Sequence, residues 1–380
     1  MIDKTTYQGA QAVSAAIETH LHHYQAMARQ HGEQELAPIP PIAALEIIID
    51  IAFWASLRRE EGRSPKISLA YLSPEQAKQP VLFGQRLPLT PDALTKLAPA
   101  VERPGIHLGV WGEGDNLYVW GATRTVPAVC FVLEVVEPGL LVIKHRRSDG
   151  FGKFANVAVL KGDQIKVVDE DSASLPDCPE LITLLLGFTS PATRSNTTNV
   201  LVQIAVSMRD HGRGGTLLVV PANTRTWRDS IIHPIPYAIA PAYAGLASLM
   251  QQEESKRSKN SWQGALRASV EGIAGLTAVD GATIITDQYE LLAFGAKIGR
   301  PDGNAAVQQM VVTEPVVGNK ATFIHPARNG GTRHLSAAQF VHDQREAFAL
   351  VASQDGRFTI FSWSPCEGMV HAHRVDTLLL

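Results

Sequence analysis

Two short segments of the sequence contain the side chains best suited to chemistry. They are Val-Asp-Gly-Ala at 279–282 and Gly-Gly-Thr-Arg-His at 330–334. Asp280 supplies a carboxylate, which suits a divalent metal ion. Thr332, Arg333 and Ser336 supply hydroxyls and a guanidinium next to a glycine turn, a combination that suits phosphate oxygens. A metal ligand and a set of phosphate ligands together predict a nucleotide site.

Small residues surround these polar groups. Gly281 and Ala282 follow the carboxylate and allow backbone or ligand to approach closely. Gly331 precedes Thr332 at the start of a predicted helix, and helix N-termini favour anions because their amides and dipole point outwards. We therefore add Gly281, Ala282, Gly331, Thr332 and Ser336 to the predicted nucleotide-binding residues.

Each of these residues also has a structural interpretation. Asp280 is compatible with a turn or strand-cap aspartate, and Thr332 with a simple helix cap that leaves Arg333 on the surface. His334 either orients a phosphate or packs as a buried histidine. The residue types alone leave these alternatives open.

The two segments resemble the motifs of the diadenylate cyclase family, an Asp-Gly-Ala motif on a strand and a Gly-Thr-Arg-His-Arg motif that opens a helix. Residues 205–212, leading into 214–220, are similar to the first helix and first core strand of that family. Residues 349–354, leading into 358–361, resemble its closing hairpin. The resemblance covers roughly 190 to 365, and the four segments occur in the family's order.

The resemblance implies condensation of two ATP molecules into cyclic di-AMP, with Mg²⁺ or Mn²⁺ on Asp280. It implies catalytic roles for Asp280, Arg333 and His334. It also implies a homodimer or higher oligomer, because each site holds one ATP and two cyclase domains must meet face to face. The N-terminal half resembles, less specifically, the sensor modules that precede such domains. We expect it to respond to a small-molecule or protein signal that the sequence does not identify.

One position departs from the family pattern. The second arginine of the motif is Leu335 here, which we interpret as packing. The site is then weakened or retuned, and the alternative is a catalytically inactive sensor of a nucleotide or cyclic dinucleotide. A structural interaction protein without any nucleotide is a third possibility. Gln354 lies where some family members carry an acid, so it is a minor metal candidate.

Composition narrows the function classes. The 380 residues are 45% hydrophobic and 19% charged, with a net charge of −3, so we expect no nucleic-acid partner. Three widely spaced cysteines form no zinc or redox pair and favour a reducing cytoplasm. The N-terminus lacks a signal-peptide core, and the apolar run 42–57 is too short and too charged to span a bilayer, so no membrane contact is expected.

The elements that must position these groups form two predicted domains. Residues 1–175 read as an α+β sensor module with helices at 5–31, 42–59 and about 90–98, and a small antiparallel sheet between 105 and 169. A polar linker follows at 171–179. Residues 185–368 read as a mixed twisted sheet surrounded by helices, with one helix predicted over 237–252. The fold class is therefore α/β, of the α+β type.

Other polar and aromatic groups have simpler explanations. His20, His22 and His23 are predicted on a solvated helix face, and His371 and His373 in a solvated tail. Three aromatic residues in the N-terminal sheet either line a ligand pocket or build the core. They are Trp111, Tyr118 and Trp120.

Overall fold

The computed structural model describes residues 5–113, 116–147, 154–169, 200–257 and 260–380. Within them the chain forms two compact units, one ending at Asp169 and the other running from Val200 to Leu379. Each unit combines helices with a mixed sheet, which confirms the α+β fold class. The predicted linker at 171–179 lies outside the described residues.

The first unit places helices before and between its strands. The helices are α1 (Gln8–Gln30), α2 (Ile42–Ser56) and α3 (Pro91–Val101), close to the predicted ranges. The strands are β1 (Ile67–Tyr71), β2 (Val81–Pro88), β3 (His107–Glu113), β4 (Asn116–Thr123), β5 (Phe131–Glu137), β6 (Leu140–Arg146), β7 (Phe154–Lys161) and β8 (Gln164–Val167).

Side-chain caps fix the starts of two of these helices. The Asp50 carboxylate on α2 accepts hydrogen bonds from the backbone amides of Thr6 and Tyr7, at 2.9 and 2.7 Å, and so ties the start of α1 to α2. The Thr90 hydroxyl accepts from the Ala93 amide at 3.2 Å, which confirms its predicted role as the cap of α3. Apolar faces of the three helices pack on the sheet through Ile17, Leu45 and Leu94.

The first sheet is larger than the sequence indicates. Its eight strands run in the order β2-β4-β3-β1-β5-β6-β7-β8, and β1 pairs parallel with β3. The prediction of a small antiparallel sheet is therefore wrong in size and in type. β2 was not predicted, because its burial pattern is mostly exposed and its sequence lacks a continuous apolar face.

The predicted solvated histidines of α1 divide into two kinds. His22 and His23 are exposed, as predicted. His20 is half-buried, and its ring lies 4.6 Å from that of Tyr24 and 5.2 Å from that of His145, centroid to centroid. The prediction is therefore wrong for His20, which packs against β6.

The second unit alternates helices with a larger sheet. The helices are α4 (Val200–Asp210), α5 (Gly245–Met250), α6 (Glu254–Arg257), α7 (Asn260–Leu276), α8 (Thr332–Asp343) and α9 (Asp376–Leu379). The strands are β9 (Gly215–Val220), β10 (Tyr237–Tyr243), β11 (Ala282–Thr286), β12 (Leu291–Ala296), β13 (Met310–Thr313), β14 (Thr322–Ile324), β15 (Phe348–Ala352), β16 (Phe358–Ser364) and β17 (Met369–Arg374).

The nine strands of the second sheet run in the order β10-β12-β11-β9-β15-β16-β17-β13-β14. The pairs β9–β11 and β13–β17 are parallel, and the other pairs are antiparallel. α8 packs on one face through Ala337, Phe340 and Val341, which form a common core with Leu218 and Ile284. α4 and α7 pack against each other. The predicted mixed sheet with helices around it is confirmed.

Two predictions about which residues form helices and strands in the second unit are wrong. Residues 237–243 form the edge strand β10, and a helix begins only at Gly245, because Pro241 cannot continue a helical hydrogen-bond ladder. His371 and His373 lie on β17 and are 7% and 4% exposed, so they belong to the sheet and not to a solvated tail. Burial lowers the pKa of His373 to about 3.

Within the described residues, we find no helix that combines the length and apolar character needed to cross a membrane.

Candidate functional site

The sheet topology brings both sequence motifs to one edge of the second unit. β9 and β11 are parallel, with Thr216 opposite Ala282, so their N-terminal ends lie side by side. β15 runs antiparallel to β9 and ends at this edge, with Ala352 opposite Gly215. β12 runs antiparallel to β11 and also ends here, with Ala296 opposite Ala282. Residues just before β9 and β11 and just after β12 and β15 therefore converge.

Asp280 lies at this edge, two residues before β11. Its side chain is 84% exposed and forms an ion pair with the ammonium of Lys297, which follows β12. Hydrogen bonding and charge from Lys297 hold the pKa of Asp280 below its usual value, and Arg333 acts in the same direction. The carboxylate is therefore ionised at neutral pH and accessible to a ligand.

Gly281 and Ala282 bring the carboxylate close to the neighbouring strand. Gly281 has a φ of +110°, and a Cβ atom there would lie 2.5 Å from the Gly295 carbonyl carbon. Ala282 is buried between β9 and β12. Only glycine fits position 281, so the sequence motif has a structural cause in addition to any contact with a ligand.

The second motif opens α8, as predicted. The helix runs for 12 residues from Thr332, and Gly331 is the cap residue, with no side-chain cap bond. The alternative in which Thr332 caps the helix is therefore wrong. Thr332 is exposed and Ser336 half-buried. The free amides of the first turn and these hydroxyls form a surface that favours an anion.

Arg333 connects the helix to the strand edge. Its Nη1 atom lies 3.3 Å from the point where a Cβ on Gly214 would stand, and the Cγ atom of Gln354 lies at the same distance from that point. Gln354 donates a hydrogen bond from Nε2 to the Arg213 carbonyl at 3.3 Å. Arg333 is half-buried and also contributes to the lowered pKa of Asp280. The structure thus brings Asp280 and Arg333 into one neighbourhood.

His334 points away from this neighbourhood into the core. It is 4% exposed, its Nε2 atom is 3.3 Å from the Thr359 hydroxyl, and its ring meets that of Phe361 edge-on at 5.9 Å. Burial is the largest cause that lowers the pKa of His334, so the imidazole is neutral at neutral pH. Of the two alternatives, the geometry supports a packed histidine that positions the start of α8.

Leu335 occupies the position of the second arginine in the motif. Its side chain is 38% exposed, so it packs against the unit over part of its surface and leaves the rest open. The result is an apolar side chain on the surface, directly after Arg333 and beside the anion-favouring turn.

Sequence reasoning missed two features of this edge. One is Lys297, which becomes visible only once the β11–β12 register sets Ala282 opposite Ala296. The other is the aromatic pair Tyr237–Phe294, whose rings stack at 4.7 Å with 7° between their planes. Tyr237 is 50% exposed and packs over Gly295. The pair offers a flat apolar surface near the charged groups.

A metal ion at Asp280 would draw on few protein ligands. Among the described residues, no group of three or more His, Cys, Asp or Glu side chains is arranged to hold a metal. Mg²⁺ is commonly held by one or two carboxylates together with substrate phosphates and water. An exposed, ionised carboxylate beside an anion-favouring helix start fits that kind of binding.

Comparison with known proteins adds information about the first unit. A search of curated proteins finds no match. Residues 34–124, which span α2 to β4, match a family described as "Probable sensor domain DACNV".

Proposed function

We propose that this protein is a diadenylate cyclase whose activity is regulated by its N-terminal sensor unit. One observation carries the proposal: the pairing of β9 with β11 and with β15 brings Asp280 to the same sheet edge as Gly214, against which the Arg333 guanidinium lies. The match of residues 34–124 to a probable sensor family supports the regulatory half of the proposal.

Different residues at this edge would bind different parts of one ATP molecule. Arg333 and the first turn of α8, with Thr332 and Ser336, would bind the phosphates through a guanidinium, amides and hydroxyls. The Tyr237–Phe294 pair offers a face on which the adenine could stack. Asp280 would hold Mg²⁺ or Mn²⁺ in place of the Lys297 ammonium. When bound, the ion would neutralise charge on the phosphate oxygens.

The reaction joins two such sites. The 3′-hydroxyl of each ATP attacks the α-phosphorus of the other, and two pyrophosphates leave as two phosphodiester bonds form. A single site holds one ATP, so two protomers must face each other, and catalysis consists mainly of positioning and charge stabilisation. The exposed side chain of Leu335 supplies apolar surface beside the site where a second protomer would approach.

The direct test is incubation of the full chain with ATP and Mg²⁺ or Mn²⁺, with products identified by chromatography and mass. We expect cyclic di-AMP, and we expect Asp280→Asn to reduce its formation by about 100-fold or more. Asp287→Asn is the matched control, because Asp287 follows the other end of β11 and its amide replacement can still accept from Ala222. Equal activity in wild type and Asp280→Asn would refute the metal assignment.

A second candidate function is a catalytically inactive sensor of a nucleotide or cyclic dinucleotide. Leu335 favours it, because loss of an arginine could preserve binding while abolishing turnover. Leu335→Arg separates the two functions. If the wild type binds ATP without forming product and the variant forms cyclic di-AMP, the chain is a sensor; product from the wild type rejects this candidate.

The regulatory role has its own test. A chain that starts at residue 181 should differ from the full chain in cyclase activity or in oligomeric state, measured with circular dichroism as a check on folding. Equal activity and equal assembly of the two folded chains would remove the regulatory role and leave the cyclase assignment intact.

A further inference from the structure

A cavity of about 100 Å³ opens in the first unit, within the part that matches the sensor family. It is smaller than the roughly 300 Å³ that begins the usual range for drug-sized ligands, so it suits one small ring system. Six residues line it: Pro74, Glu75, Arg86, Trp111, Tyr118 and Trp120.

The aromatic wall comes from the β3–β4 hairpin. Trp111 and Tyr118 are directly opposite each other across the two strands. Trp120 occupies the extra position where the register shifts, between the pairs Gly109–Gly121 and Val110–Val119, and such a bulge re-aims a side chain. The hairpin therefore presents three rings to one small space.

The position of the Trp120 ring is fixed from two sides. Its indole Nε1 donates to the Leu72 carbonyl at 2.8 Å. The ring lies so close to β3 that a Cβ on Gly109 would be 2.0 Å from it. Behind Trp111, the ring of Tyr71 packs at 5.1 Å. These contacts describe a preformed wall, which reduces the entropy that a ligand must overcome on binding.

Two charges of opposite sign stand at the mouth of the cavity. Glu75 belongs to the short 3₁₀ turn Pro74–Gln76, and Arg86 lies where the β2–β4 register is irregular. Both side chains are exposed. Hydrogen bonding from Ser73 is the largest cause that lowers the pKa of Glu75, and the charge of Arg86 acts in the same direction. The two groups are therefore close enough to influence each other.

These charges select against simple ions. A ligand with a net charge of either sign is attracted by one group and repelled by the other. Charge pairing at an exposed mouth also contributes little to the binding free energy. A phosphate in particular would meet the Glu75 carboxylate. Most of the binding free energy must come from the flat faces of the aromatic rings, since bases stack favourably on aromatic side chains.

We propose that this cavity binds an uncharged, planar heteroaromatic ring of the nucleobase class. The ring stacks on the wall formed by Trp111, Tyr118 and Trp120. Glu75 accepts a hydrogen bond from an N–H on the ring edge, and Arg86 donates to a ring nitrogen or carbonyl, which is how these side chains contact bases. This inference rests on the sensor role proposed above and names the chemical class of its signal.

The test uses the full chain and four nucleosides without phosphate: adenosine, guanosine, cytidine and uridine. Leucine and phenylalanine serve as zwitterionic probes of similar size. Binding is measured by calorimetry and by tryptophan emission, since Trp111 and Trp120 are two of the six tryptophans. We expect at least one nucleoside to bind and neither amino acid to compete with it.

Two variants locate the site, each with a matched control in the same unit. Glu75→Gln should weaken binding at least fivefold, whereas Glu35→Gln, an exposed glutamate paired with Lys78 at 2.7 Å, should not. Trp111→Leu should weaken it at least tenfold, and Trp54→Leu, 40% exposed, should not. If Trp111→Leu fails to fold, the Glu75 pair still decides the question, because Glu75 is exposed.

A third variant separates this inference from the cyclase proposal. Tyr237→Leu, which removes the ring proposed to stack on adenine in the second unit, should leave nucleoside binding unchanged even if it weakens cyclic di-AMP formation. Binding lost in Tyr237→Leu would place the nucleoside in the second unit and overturn the inference. So would preference for an amino acid, no binding of any nucleoside at millimolar concentration, or equal binding by wild type and Glu75→Gln. Failure of cyclase activity alone affects only the proposal for the second unit.

Discussion

The two units hold their candidate ligand groups in opposite ways. In the second unit, charged side chains collect at a sheet edge from distant parts of the chain: Asp280, Lys297 and Arg333. In the first unit, aromatic side chains collect on a single hairpin, residues 111–120, with the two charges left at the mouth. The first arrangement suits a highly charged ligand and the second an uncharged ring, so the two sites should respond to different chemistry.

Each arrangement depends on a glycine, and substitution of Gly281 should have the largest effect. Gly281→Ala adds a Cβ 2.5 Å from the Gly295 carbonyl carbon at a φ of +110°. Backbone strain and overlap together should lower the free energy of unfolding of the second unit by about 4 kcal/mol. Urea unfolding measures this loss, and cyclic di-AMP formation should fall with it.

Gly272→Ala is the matched control for this substitution. Gly272 is exposed on α7, with nothing within 4 Å of its added Cβ. Because alanine is the better helix former, the change should raise the free energy of unfolding by up to about 1 kcal/mol. Equal unfolding free energies in the two variants would contradict the tight approach of β11 and β12.

In the first unit the corresponding glycine is Gly109, which leaves space for the Trp120 ring. Gly109→Ala places a Cβ 2.0 Å from the Trp120 indole, which must shift, and overpacking of this kind costs about 3 kcal/mol of unfolding free energy. Gly84→Ala on β2, with open space around its Cβ, should change stability by less than about 0.5 kcal/mol. Tryptophan emission should change only in Gly109→Ala; an unchanged spectrum would show that Trp120 does not lie against β3.

The units should share a sensitivity to acid. Burial lowers the pKa of His145 in the first unit and of His373 in the second to about 3. The unfolded chain binds these protons below about pH 6.5 and the folded chain does not, so stability is lost as the pH falls through this range. When the pH is lowered from 7.5 to 5, each histidine should reduce the free energy of unfolding by about 2 kcal/mol.

His373→Gln measures how much of this loss of stability at low pH comes from His373 in the second unit. Glutamine can still bond the Thr313 hydroxyl, which lies 2.8 Å from His373 Nδ1, but it takes up no proton. Urea unfolding at pH 7.5 and pH 5 should therefore show about 2 kcal/mol less loss in the variant than in the wild type. The same pH dependence in both proteins would mean that His373 is not buried in its neutral form.

The smallest effect should follow from Arg333→Gln, which keeps the fold and removes one charge from the sheet edge. We expect the ATP dissociation constant, measured by equilibrium dialysis with Mg²⁺, to rise about tenfold, or about 1.4 kcal/mol. Arg345→Gln is the control at the opposite end of α8, where the arginine stacks on Trp363 at 4.1 Å. If the two variants bind ATP with equal affinity, Arg333 does not contact the phosphates.

The sequence predicts those features whose cause is local. Thr90 followed by Pro91 predicts the start of α3, and the glycine turn before Thr332 predicts the start of α8. The grouping of Asp280 with Arg333 was also predictable, because their residue types suit one ligand. The pairing of Trp111 with Tyr118 follows from the short turn between two strand-like runs.

Other features depend on contacts distant in sequence. Lys297 reaches Asp280 only through the β11–β12 register. His371 and His373 have polar side chains, and their burial follows only from the position of β17 between β16 and β13. Residues 237–243 were predicted as part of a helix, and Pro241 was the signal against it. The exposure of Leu335 likewise required the packing of α8 to be known.

The contact between Gly330 and His334 has a consequence for how this sequence can change over time. A Cβ at position 330 would lie 2.7 Å from the His334 ring nitrogen Nδ1. Any other residue at position 330 would have to displace the ring, and the φ of +158° at Gly330 disfavours other residues whatever stands at position 334. We therefore expect position 330 to remain glycine as the sequence changes, even where no ligand contact requires it.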